Sequence, residues 1–224
     1  GFVGFGSSIL LFPDHDGDGV PELVIGAKDL DDALTSNYKS GVVFFCFMNR
    51  DGTIKSHSRI SELSGGNPSL KLNGEGKVSG TLPLVTEDNC GQSLAQIGDI
   101  NHDGQKQQRP LMDSEYLLDP DYPDRKPLND LIMGCPQTEA GVGTGRIFLI
   151  FLSSLGAAQA YREIPSDTDI GIAPNFASQD KVGHSLAAYM DLDGNGIKEI
   201  VVGAPGTSTN GTESGAIYIF YLRR

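Results

Sequence analysis

Asp14, Asp16, Asp18 and Glu22 stand at positions one, three, five and nine of a loop broken by Gly17 and Gly19. Oxygen side chains at alternate positions can curl toward one point, and the intervening glycines allow the positive φ angles that tight curling needs. Calcium takes about six to eight hard oxygen ligands, whereas clustered carboxylates without a cation repel one another. The main-chain carbonyl of Val20, at position seven, is a natural addition. The spacing returns at Asp191, Asp193, Asn195 and Glu199, with Ile197 in the carbonyl position. A damaged copy places Asp99, Asn101 and Asp103 at positions one, three and five and Gln105 at seven, with His102 where the others have Gly. An insertion, 106–129, then separates it from Asp130, its candidate closing acid. The expected cofactor is Ca2+ at the two intact loops; at the damaged loop, binding and non-binding both stay open.

An EF-hand needs an acid at position twelve and a helix on each side. Position twelve is Ile25 in the first loop and Val202 in the third, and the closing acid instead leads into an apolar run. The EF-hand is excluded. Asp and Gly also make ordinary turns, but recurrence at matching places in a repeat argues for a metal site.

The elements that must position these loops repeat with them. Each copy gives a strand, an acidic loop, a short strand, a polar loop and a long apolar strand. The first copy runs from Phe5-Gly6-Ser7-Ser8 through Leu23-Val24-Ile25 to Val42–Phe47, the second from Cys90-Gly91-Gln92-Ser93 through Leu131-Ile132-Met133 to Ile147–Leu152, and the third from Val182-Gly183-His184-Ser185 through Ile200-Val201-Val202 to Ala216–Phe220. With the insertion set aside, a unit of roughly 60 to 70 residues suits a four-stranded propeller blade with generous loops. Asn49-Arg50-Asp51-Gly52 carries an Asp-Gly hairpin signal, so Thr53–Ile60 is expected as a polar outer strand. A weaker outer strand is expected near Tyr161–Ile164, and none in the third copy. Ser61–Asn89 and Ser153–Lys181 otherwise look like linkers. The fold expected is all-β: antiparallel four-stranded blades, about three, within a larger propeller. The divisions are 1–89 for the first blade with its linker, 90–181 for the second with its inserted loop, and 182–224 for the third.

Composition agrees. Among 224 residues, 29 are Gly and none is Trp, and the formal net charge is −12. A nucleic-acid binder would carry a basic footprint, and no run approaches the roughly 18 to 20 apolar residues of a membrane helix. With no signal peptide in view, a secreted protein is expected here in mature or partial form.

The pattern resembles FG-GAP repeats, the blades of integrin α-subunit propellers and related secreted proteins. Phe5-Gly6 matches the start of that motif and Gly203-Ala204-Pro205 its end; Cys90-Gly91, Val182-Gly183, Gly26-Ala27-Lys28 and Gly134-Cys135-Pro136 are degraded versions. The resemblance implies calcium-stabilised blades, usually extracellular. Three copies are fewer than the four to eight blades that close a propeller, so further blades are expected from the same or another chain.

Cys90 and Cys135 fall at one end of a predicted hairpin. They form a disulfide, consistent with an oxidising compartment, or are two buried thiols standing where the family has Phe and Ala. Cys46 is expected to be a packed, unreactive thiol. Asn210-Gly211-Thr212 is an N-glycosylation sequon. No hydrolase triad, Walker loop or HExxH motif stands out. The function expected is a non-enzymatic, calcium-binding module at the cell surface or outside the cell, serving adhesion or structural assembly with a protein or glycan ligand. The alternatives are the scaffold or catalytic domain of a secreted hydrolase or polysaccharide-acting enzyme, and an architectural component of a filament or surface coat.

Overall fold

The computed structural model describes residues 4–30, 39–61, 82, 84, 87–101, 128–137, 143–164, 176–188, 190–208 and 214–222. Among these the regular elements are all strands: β1 (Phe5–Phe12), β2 (Glu22–Ala27), β3 (Val42–Met48), β4 (Ile54–Ile60), β5 (Ser93–Gly98), β6 (Asp130–Cys135), β7 (Arg146–Leu152), β8 (Ala158–Ile164), β9 (Ser185–Ala188), β10 (Ile200–Ala204) and β11 (Ala216–Phe220). They form sheets β1-β2-β3-β4, β5-β6-β7-β8 and β9-β10-β11, each an antiparallel meander in chain order. β5 touches both β1 and β9, so the sheets stack face to face through their first strands.

Burial explains the strand sequences. β3 and β7 lack polar alternation because neighbouring strands and sheets cover them; Phe45, Phe148 and Ile150 are fully buried. β4, an edge strand, keeps Lys55, His57 and Arg59 on a largely exposed surface, as edges that avoid pairing with other chains do. The turn into β4 closes with the Gly52 amide donating to the Asn49 carbonyl at 2.9 Å. The turn from β7 to β8 has the same bond, Gly156 N–H to Ser153 O at 2.9 Å. That hairpin begins its return strand at Ala158, earlier than the Tyr161 expected from sequence. Nor is the stretch before Cys90 mere linker: Leu82 and Leu84 are buried in the first core and Asp88 is fully buried.

One core lies between the first and second sheets, built from Phe12, Val24, Phe45, Leu131, Met133 and Phe148 among others. A second lies between the second and third sheets, around Ile132, Leu149, Ile200, Val202 and Phe220. The blade contacts repeat closely. Ser8 Oγ donates to the Gly91 carbonyl at 2.7 Å, and Ser93 Oγ to the Gly183 carbonyl at 2.6 Å. Gly26 and Gly134 are required beneath these contacts, since a Cβ on either would lie 2.0 and 2.1 Å from those same carbonyl oxygens.

The two ends of the stack are open. Ile9 and Leu11 point away from the first core and are 68% and 71% exposed; Ile217 on β11 is 74% exposed. Among the described residues, Ser185 and Gly203, which occupy the places of Ser8 and Gly26, meet no following sheet.

Candidate metal centre

The first and third acidic loops each join the first two strands of their sheet, and their shape comes from side chain to backbone bonds. Asp14 accepts from Gly17 N–H at 2.7 Å and Gly19 N–H at 2.9 Å, while Asp16 and Asp18 accept from the amides of Asp18 and Val20. The third loop repeats this: Asp191 accepts from Gly194 N–H and Gly196 N–H, both at 2.7 Å, and Asn195 Oδ1 accepts from Ile197 N–H at 2.8 Å. The Gly residues take φ between +77° and +92°, a region that a Cβ disfavours.

This winding gathers oxygens. One carboxylate oxygen each from Asp14, Asp16 and Asp18 lie within 4.8 Å of one another, as do those from Asp191, Asp193 and Glu199. The closing acids also do something that the spacing did not disclose. Glu22, 1% exposed, accepts from His15 N–H at 3.3 Å and Met48 N–H at 3.0 Å. Asp130, fully buried, does the same with Ile100 N–H at 3.0 Å and Leu152 N–H at 3.4 Å. These acids therefore clamp the second residue of the loop, and in the first two sheets also the end of the third strand. Burial raises the Glu22 carboxyl above its usual range, against the lowering effect of its two backbone donors. The clue in the sequence was an acid abutting a wholly apolar strand.

Glu199 keeps only part of this clamp. Its Oε2 accepts from Leu192 N–H, and its buried Oε1 has no partner among the described residues. A buried carboxylate oxygen without a donor is costly, and beside two further carboxylates it suits a hard cation. The first loop carries a stand-in cation instead. Lys55 Nζ, from β4, lies 2.6 Å from Asp16 Oδ2 and 2.9 Å from Asp18 Oδ2. The Asp18 carboxyl is held low, first by Lys55 and then by Val20 N–H, and the Lys55 ammonium is raised by both aspartates. Both donor sets, all oxygen and mostly carboxylate, fit calcium better than a softer metal.

The remaining sequence candidates are placed as follows. Val20 is half-buried and Ile197 buried at their seventh positions. Asp99 is half-buried and Asn101 exposed, while Asp103, Gln105 and Asn210 lie outside the described residues. Cys90 and Cys135 are joined by a disulfide with Cα atoms 4.1 Å apart, tying the approach to β5 to the end of β6. Cys46 is a free, buried thiol, and burial raises its pKa. His15 went unnoticed as a contact residue. It is 4% exposed, its Nε2 is 2.7 Å from the Ser153 carbonyl of the second sheet, and Phe12, Phe45 and Phe47 surround its ring.

Antiparallel meander sheets stacked through their first strands, with such a loop between the first two strands of the first and third, are β-propeller blades. Residues 182–220 match the family model of the FG-GAP repeat. The chain is similar in sequence to integrin α chains. It is 27% identical over 218 residues to integrin alpha-PS5 of Drosophila melanogaster, covering 96% of this chain and 16% of that protein. It is 26% identical over 200 residues to integrin alpha-3 of Cricetulus griseus (89% and 14%) and 27% identical over 205 residues to integrin alpha-7 of Homo sapiens (90% and 12%). The chain thus spans 12–16% of the length of these relatives. Among the described residues no helix is long and apolar enough to cross a membrane.

Proposed function

We propose that this chain is a calcium-binding, integrin α-like propeller module that acts outside the cell or at its surface, in adhesion or structural assembly rather than catalysis. The observation that carries the calcium reading is the third loop. There the buried Glu199 Oε1, beside Asp191 and Asp193, has no partner among the described residues. Asp191, Asp193 and Glu199, with Asn195 and the Ile197 carbonyl, would hold the ion; Asp14, Asp16 and Asp18, with the Val20 carbonyl, would hold its counterpart, Glu22 being committed to its clamp. The damaged loop offers Asp99 and Asn101, with Asp130 committed to its clamp. A bound calcium would supply positive charge that cancels carboxylate repulsion and fastens the first two strands of a blade.

The integrin relatives support adhesion with a protein or glycan ligand, and the Cys90–Cys135 disulfide supports an oxidising compartment. The open apolar faces support further blades, from the same or another chain. Ser185 and Gly203 correspond to the places in the first two blades where Ser8 and Ser93 donate to a glycine carbonyl of the next blade.

Calcium that binds the folded state alone stabilises it by about 2.7 kcal/mol at a hundredfold excess over Kd. For a chain of this size that corresponds to a melting shift of roughly 5 to 10 °C. Thermal unfolding with calcium and with EDTA checks this, and identical melting curves would remove the calcium reading.

A further inference from the structure

We propose that Lys55 is a tethered counter-ion that competes with a divalent cation for the first loop, so that this loop fills at higher calcium than the third. The inference rests on the reading of both loops as calcium sites and adds an order of loading to it.

Asp16 and Asp18 each spend Oδ1 on a loop amide, and Lys55 takes the remaining Oδ2 of both. Those are the oxygens through which the loop would hold a metal. An ion bound about 2.3–2.6 Å from them would share their contact space with an ammonium group, at a separation where like charges repel strongly. Lys55 must therefore withdraw when calcium enters. It can do so, because its side chain is 43% exposed and stands on an edge strand. The competent state is the fraction of time in which the tether is open, and apparent affinity falls by that fraction.

The third loop winds on the same amide bonds but lacks the tether. Among the described residues no Lys or Arg is paired with Asp191, Asp193 or Glu199. Its own Lys198 turns aside, with Nζ 3.3 Å from Gln96 Oε1. The described part of its sheet has no outer strand from which a tether could come.

The test is calcium titration calorimetry on protein whose third loop is disabled by Asp191→Ala and Asp193→Ala, carrying Lys55, Lys55→Met or Lys55→Arg. Removing the tether should tighten the first loop by about three- to tenfold, and Lys55→Arg should stay within about twofold of Lys. Unchanged or weaker binding in Lys55→Met overturns the inference while leaving the calcium reading intact. Absence of calcium binding in the unmutated protein removes both. A second measurement needs no substitution. With lysines labelled by reductive 13C-methylation, the Lys55 resonance should move with the weaker of two binding steps. Movement with the tighter step, or none, overturns the proposal.

Discussion

The first and third blades carry the same loop, wound by the same Asp-to-glycine amide bonds, and differ in what surrounds it. Around the first loop the blade is finished: β4 supplies Lys55, the second blade supplies the Ser153 carbonyl for His15, and Glu22 has both of its donors. Around the third loop each of these is missing among the described residues. Leu192 stands where His15 does and is 47% exposed, Glu199 has an oxygen without a donor, and no cation reaches the carboxylates. The first loop is therefore partly neutralised and anchored by its own protein, whereas among the described residues the third has neither support. A motif fixes the shape of the loop, while the neighbouring strands and blades set how far its carboxylates are compensated.

The largest effect should come from the glycines under the blade contacts. In Gly26→Ala and Gly134→Ala the new methyl meets a backbone carbonyl, so two sheets must move apart, at a cost of about 3 kcal/mol. In Gly203→Ala the nearest atom is the side-chain oxygen of Ser185, at 2.2 Å, on an exposed residue that can rotate away. Its cost in this chain should be below about 1 kcal/mol. Urea unfolding of the three variants decides it, and equal losses would mean that the third blade is not open in the way described. A large loss at Gly203 that emerges only in a longer version of the protein would mark the arrival of a fourth blade.

Next come the clamps. Glu22→Ala strips a buried acceptor from the amides of His15 and Met48 and should cost about 3 kcal/mol without any calcium. Glu199→Ala removes an acid with a single backbone donor and should cost roughly half as much in EDTA. It should also abolish most calcium stabilisation by the third loop. If Glu199→Ala proves the costlier change in EDTA, Glu199 is as fully clamped as Glu22 and its free oxygen is no argument for a metal.

Much of this contrast was beyond the reach of the sequence, for a physical reason. The strands, their meander order and the two acidic triplets were legible because they depend on local patterns: apolar runs, Gly-broken Asp spacing and the Asp-Gly turn before β4. The β7–β8 hairpin was blurred because Ser154-Leu155-Gly156 carries a weaker turn signal, although it folds by the same amide bond. What remained hidden was every contact between segments distant in the chain. Lys55 is 39 residues from Asp16, and His15 is 138 from Ser153. No spacing rule links such pairs. The closing acids were recognised as oxygen donors, but their role as acceptors for the end of the third strand exists only once the sheet has formed.

Metal removal probes the loops as ligands. At low calcium, Asp191→Ala should abolish most of the calcium-dependent rise in melting temperature, and Asp14→Ala should remove a smaller part, because the tether keeps the first loop mostly closed. At saturating calcium the two losses should converge toward about 2 to 3 kcal/mol each. Melting curves across a calcium series measure both. Equal losses at every concentration would show that Lys55 and the blade around it make no difference to loading.

The smallest effect addresses anchoring without touching a carboxylate. His15→Leu gives the first loop the residue that the third loop has at its second position. The apolar contacts with Phe12, Phe45 and Phe47 can be kept by the new side chain, so the change chiefly removes the bond to the Ser153 carbonyl. That carbonyl terminates the second blade's third strand, so His15 ties a loop of one blade to the hairpin of the next. A single neutral hydrogen bond of this kind is worth about 1 kcal/mol. The loss should be seen in urea unfolding in EDTA, with the cooperativity of the transition unchanged. The same variant should bind calcium at the first loop slightly more weakly, because the loop must then be ordered by the metal alone. A loss well above 1 kcal/mol would mean that the ring packing, rather than the bond across the blades, is what His15 contributes.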